Sequence, residues 1–117
     1  MESIIANMFS IRDTAHLLHL KSKSFAKHIA LGDFYDGILE LADSITEIYQ
    51  GKYGILEIPQ IQPLQKFNNE IDFIKYAADW AEECKASINP QDTYLLNEWD
   101  NVISLIFRTK YKLENLN

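Results

Sequence analysis

An all-α four-helix bundle with a long crossover between its second and third helices is the fold this sequence predicts. Three observations carry it. Apolar residues recur at three- and four-residue steps in four separate stretches. No stretch alternates convincingly as a strand, although Ile55–Ile58 could pair as a short edge. Glycine and proline gather where a bundle needs connections, in Gly51–Pro63 and at Asn89-Pro90. The chain is 117 residues long with 47% hydrophobic and 24% charged residues, which bounds it to one domain, 1–117, able to bury a core without staples.

The first helix runs from Glu2 to about Leu20, with Ile4, Ile5, Met8, Ile11, Ala15 and Leu18 as its apolar positions. Met8, Arg12, His16 and His19 share one face of it. Lys21-Ser22-Lys23-Ser24 reads as a tight turn in which Ser22 or Ser24 caps the next helix. That second helix, Ser24 to Tyr49, is the longest, with Phe25, Leu31, Tyr35, Ile38, Ala42, Ile45 and Tyr49 as its stripe and Gly51 as its cap. The segment from Gly51 to Pro63 is too long for a hairpin loop. Extended it spans about 43 Å, enough to run back along a helix of about 39 Å, so the second and third helices should be parallel. The third helix is expected over Leu64 to Ile88. Asn89-Pro90-Gln91-Asp92 reads as the start of the fourth, with Asn89 as cap and Pro90 in the first position. Leu95, Trp99, Val102, Ile106 and Leu113 form its stripe.

Charge and cysteine usage narrow the function classes. With 17 acidic against 11 basic residues the net charge is −6, which disfavours a general nucleic-acid-binding surface and an anionic membrane. Cys84 is the single cysteine, so neither an intrachain disulfide nor a cysteine-based zinc site can form. The start of the chain lacks the pattern of a signal peptide, and no apolar run is long enough to span a membrane. A reducing, cytoplasmic setting fits these features. No Ser-His-Asp, Cys-His or glycine-rich phosphate signature is present.

The chemistry concentrates on the second helix. Asp36, Glu40, Asp43 and Glu47 fall within roughly 60° of one another around its axis. No lysine or arginine lies between Lys27 and Lys52. Acidic neighbours one turn apart repel by about 0.2–0.5 kcal/mol per pair. Water, a basic partner or a metal ion must therefore compensate them. All three histidines lie in the first 28 residues. Histidine facing carboxylates suits Fe(II), Mn(II) or Zn(II). The plainer readings are a solvated acidic face, His28 bonded to a nearby carboxylate at the core edge, and His16 and His19 as packing or subunit-contact residues. Arg12 could also pair with the acidic stripe. Cys84 reads as a small buried hydrophobe, and Phe73, Tyr76 and Trp80 as core or subunit-contact aromatics.

The order His16, His28, Asp43, Glu47, with steps of twelve, fifteen and four residues, resembles the ferroxidase signature of the Dps-like mini-ferritins, a branch of the ferritin-like superfamily. Leu17 stands where that family usually has tryptophan, and His19 is the other candidate for the first histidine. The paired Glu-x-x-His motifs of other carboxylate-bridged bundles do not occur in this sequence. The resemblance implies a ferritin-like bundle, a homo-oligomer, and a metal site shared between subunits. His16, His28, Asp43 and Glu47 would be its ligands, with His19 and Asp36 as second choices. Binding of Fe(II), and with it a weak ferroxidase activity, would follow, with Mn(II) or Zn(II) as alternative metals. The run FAKHIALGDFYDGI, together with Tyr49-Gln50-Gly51-Lys52-Tyr53-Gly54, is similar to short proteins of tailed phages. That implies a phage-encoded protein working in a bacterial host's cytoplasm. The other function class is a metal-free helical interaction protein that binds a host or phage protein or sequesters a small molecule.

Overall fold

Four helices, in a computed structural model that describes residues 1–116, account for most of the chain: α1 (Glu2–Lys21), α2 (Phe25–Tyr53), α3 (Glu70–Lys85) and α4 (Thr93–Asn115). Each forms for a local reason. The chain turns sharply after Lys21, and Ser24 caps α2 by accepting from the Lys27 N–H. Asn69 caps α3 in the same way, accepting from the Asp72 N–H at 2.9 Å, with Glu70 and Asp72 in the first turn. The bundle packs α2 against α1 on one side and α4 on the other, with α3 against α4 and only lightly against α1.

Cross-helix contacts fix the directions. Leu105 packs onto Gly37, Ser44 donates to Glu98, and Lys52 pairs with Asp92, so α4 is antiparallel to α2. The short turn between α3 and α4 makes those two antiparallel as well. Helices α2 and α3 therefore run the same way on opposite corners, meeting through the edge-to-face pair Phe34–Phe73. Segment 54–69 returns along the outside of α1: Ser10 Oγ donates to the Gln62 carbonyl, and the Leu56 N–H donates to Gln50 Oε1. No strand forms among the described residues, so Ile55–Ile58 is part of this extended return.

Four boundaries differ from the expectation, among them the end of α3, which comes at Lys85 and not at Ile88. Helix α2 passes through Gly51 and stops at Gly54, whose φ of 99° is the left-handed conformation that glycine tolerates. The lengthened helix needs a longer return, so the extended segment absorbs Leu64–Asn69 and α3 begins at Glu70. Phe67 still packs, against Phe73 and Tyr76, but from the crossover. Asn89 does not cap α4 either. Its side chain accepts from the Gln91 N–H inside a turn, and Asp92 takes the cap position.

Most of the core is the expected one, with Phe34 added, which the expected stripe of the second helix did not include. Ile5, Met8 and Ile11 of α1, Leu31, Phe34, Ile38 and Ile45 of α2, Phe73 and Ile74 of α3, and Trp99, Val102 and Ile106 of α4 are all buried. At about 1.5–3 kcal/mol for each large apolar side chain, this burial is the main force holding the helices together. Phe25 is the exception: it is 80% exposed. Six residues separate it from Leu31, which turns it to the far side of the helix. Tyr76 and Trp80 are half-buried core aromatics, and Cys84 is half-buried, its thiol pushed up by burial. No helix among the described residues is long and apolar enough to cross a membrane.

Candidate functional site

The α1–α2 turn brings the histidines together. His19 Nδ1–H donates to the His28 carbonyl at 2.5 Å, and His28 Nδ1–H donates to the His19 carbonyl at 2.8 Å. Carbonyls only accept, so both rings carry hydrogen on Nδ1 and, when neutral, a lone pair on Nε2. The two rings stack 3.6 Å apart at 19°. Gly32 makes this possible: a β-carbon there would stand 3.1 Å from His19 Cε1. His16 continues the array, stacked on Tyr35 at 4.3 Å, and the Arg12 guanidinium lies 5.4 Å from the Tyr35 ring centre.

These placements correct two expectations. The partner of His28 is a backbone carbonyl and not a carboxylate. Arg12 pairs with its neighbour Asp13 at 3.0 Å and not with the acidic stripe, and its Nε is buried without a partner.

The acids behave differently. Asp36, Glu40, Asp43 and Glu47 are exposed on the outer face of α2, joined there by Asp33, and none takes part in an ion pair among the described residues. Asp43 and Glu47 are one turn apart, as read from the sequence. His28 and Asp43, however, lie on one helix fifteen residues apart, a separation of about 22 Å. A single chain does not bring them to one ion. Among the described residues no group of three or more His, Cys, Asp or Glu side chains is arranged to hold a metal. The expected set of His16, His28, Asp43 and Glu47 can meet only if a second chain supplies part of it.

Sequence reasoning missed the far end of the bundle. The Asp92 carboxylate is 1% exposed and accepts from Lys52 Nζ, from Tyr53 Oη at 2.5 Å and from Tyr94 Oη at 3.2 Å. Lys52 and Tyr53 draw the Asp92 carboxyl below its ordinary value, and the same contacts raise Lys52 and Tyr53 above theirs. This cluster locks the end of α2 to the start of α4. Every oxygen of the carboxylate is engaged, so its role is structural. A small cavity of about 270 Å³ beside it is lined by Met1, Ile4, Tyr49, Tyr53, Ile88 and Leu95, among others.

Exposed apolar side chains were also missed. Leu17, Leu20, Phe25 and Ile29 flank the α1–α2 turn, and Tyr111 stands near the end of α4. The signal was present in their spacing, which sets Phe25 and Ile29 on the same side of α2 as the acids.

No curated protein and no solved structure matches this chain. A family model does match, over residues 19–113, a span that takes in His19, His28, Asp36, Asp43 and Glu47 and leaves His16 outside. By that match, which covers most of α2 through α4 and their connections, the chain belongs to a family of unknown function, DUF5856.

Proposed function

We propose that this protein is a helical interaction module that acts by docking, with the outer face of α2 as its working surface. The observation that carries this reading is the composition of that face. Five acidic side chains, from Asp33 to Glu47, stand exposed without a cationic partner among the described residues, next to the exposed Phe25 and Ile29. A folded chain gains nothing from crowding like charges there, whereas a basic and partly apolar partner relieves the repulsion and covers the rings. The fitting partner is an amphipathic basic segment of a protein. A labelled helical peptide of alternating Lys and Leu faces tests this. Its binding should be salt-sensitive and should weaken about tenfold or more in Asp36→Asn/Asp43→Asn/Glu47→Gln. The control Asp79→Asn/Glu82→Gln/Glu83→Gln on α3 should bind like wild type. Equal weakening by both variants would reduce the effect to net charge and remove the docking surface.

A second reading keeps the metal. Its support is the tautomer of His19 and His28: a ring held through Nδ1–H to a carbonyl offers Nε2 to a metal, the usual outer arrangement of a ligating histidine. The parallel α2 and α3 and the long return between them support comparison with the ferritin-like bundles. On this reading a phage-encoded homo-oligomer would bind Fe(II), Mn(II) or Zn(II) between subunits. His28 and His16 or His19 would come from one chain, and Asp43 and Glu47, with Asp36 in reserve, from its neighbour. Fe(II) or Mn(II) at a hundredfold excess over Kd should then stabilise the wild type by about 2.7 kcal/mol. The same metal should leave Asp43→Asn/Glu47→Gln unchanged. An unshifted wild-type melt, or an equal shift in both proteins, would eliminate the site.

A further inference from the structure

The outer surface formed by α2 and α4 carries two complementary halves. On α2, Asp33 and Asp36 stand beside Phe25 and Ile29, which are 80% and 44% exposed. On α4, Arg108 and Lys112 are exposed, neither forms an ion pair among the described residues, and Tyr111 between them is 59% exposed. These α4 residues line a shallow groove with Ser104 and Phe107. The antiparallel register set by Gly37–Leu105 and Ser44–Glu98 fixes their heights. Carried one to two turns further along α2, it sets Asp33 and Asp36 level with Arg108, and Ile29 level with Tyr111–Leu113.

Level matching has a symmetry consequence. A two-fold axis parallel to the helices, in front of the α2–α4 face and midway between the two helices, sets α2 of one copy against α4 of another without changing height. Both acid–base contacts then form at once, and the contact closes as a dimer. We propose that two copies of this chain pair face to face in this way. Asp33 and Asp36 of each lie against Arg108 and Lys112 of the other, with Ile29 and Tyr111 covered between them. The lower acids, Asp43 and Glu47, are level with a part of α4 whose exposed residues include Asn97, Asp100 and Asn101, so they stay outside the contact. The proposal rests on the reading of the α2 face as a docking surface and names its partner as a second copy.

Light scattering and sedimentation on charge-reversed variants test it. Wild type should be a dimer at micromolar concentration and should dissociate at high ionic strength. Arg108→Glu/Lys112→Glu should weaken dimerisation by about tenfold or more, as should Asp33→Lys/Asp36→Lys, because each sets like charges opposite one another. Both variants should keep the wild-type helical circular dichroism, since all four positions are exposed. Mixing the two variants should restore a dimer, because each now offers what the other lacks. A monomeric wild type, dimers indifferent to both reversals, or variants that remain monomeric when mixed would each overturn the proposal. Retained binding of the Lys/Leu peptide by a monomeric wild type would leave the docking surface standing while removing the dimer. Loss of both would remove the two together.

Discussion

Trp99→Ala should lower the unfolding free energy by about 3–5 kcal/mol, a large part of the roughly 5–15 kcal/mol that a domain of this size has. Trp99 is fully buried, its ring meets Trp80 edge to face at 5.5 Å, and its Nε1–H donates to the Ala81 carbonyl at 2.8 Å. Alanine removes the ring from the α3–α4 seam and opens a cavity there. The light packing between α1 and α3 leaves α3 dependent on α4 for its place in the bundle. Trp99→Phe is the informative companion. It keeps an aromatic ring against Trp80 and gives up the N–H, while the Ala81 carbonyl remains in the helical ladder of α3. The cost should fall to about 1–2 kcal/mol. Urea titration followed by far-UV circular dichroism reads both. A similar loss for both variants would mean that the hydrogen bond, and not the packed volume, holds this seam.

Trp99 also marks what the sequence makes legible. Its place in the stripe Leu95, Trp99, Val102, Ile106 and Leu113 follows from helical spacing alone, and all five are buried. The parallel course of α2 and α3 follows from the length of the segment that joins them. Features that depend on residues distant in sequence were out of reach. Lys52 and Asp92 meet across forty residues, and nothing at either position announces the other. The His19–His28 pair is hidden for another reason: each ring bonds to a backbone carbonyl, which carries no residue identity to read. Four of the five positions of the acidic face were legible, because like charges at helical spacing leave the same mark in sequence and structure; Asp33 was not read as part of it. No cationic side chain among the described residues pairs with those charges, so the sequence shows the repulsion and not what relieves it. Phe25 was assigned inward because it is apolar, although its six-residue step from Leu31 points it outward.

The cluster around Asp92 should give the stability of the fold a defined pH window. Hydrogen bonds from Lys52 and Tyr53 depress the Asp92 carboxyl below its ordinary 3.8 in the folded chain. The unfolded chain therefore binds its proton at a higher pH than the folded one. Stability from this contact is complete above the unfolded value and is lost as pH falls through the folded one. The basic limb has the opposite sign. Lys52 and Tyr53 are both raised above their ordinary 10.5 and 10.0, so their share is complete below those values and is lost as pH rises through the folded ones. The melting temperature should thus be insensitive to this cluster across the neutral range and should fall at each extreme. Asp92→Asn removes the carboxylate that both limbs share. It should lower Tm at neutral pH and flatten the part of the acid limb that belongs to Asp92. Asp100→Asn breaks the exposed pair with Lys85 and should do neither to a comparable extent, because both partners are already in water. Thermal melts of the three proteins from acid to alkaline pH make the comparison. An acid limb of unchanged steepness in Asp92→Asn would assign the acid loss to other carboxylates and leave Asp92 as a packing residue alone.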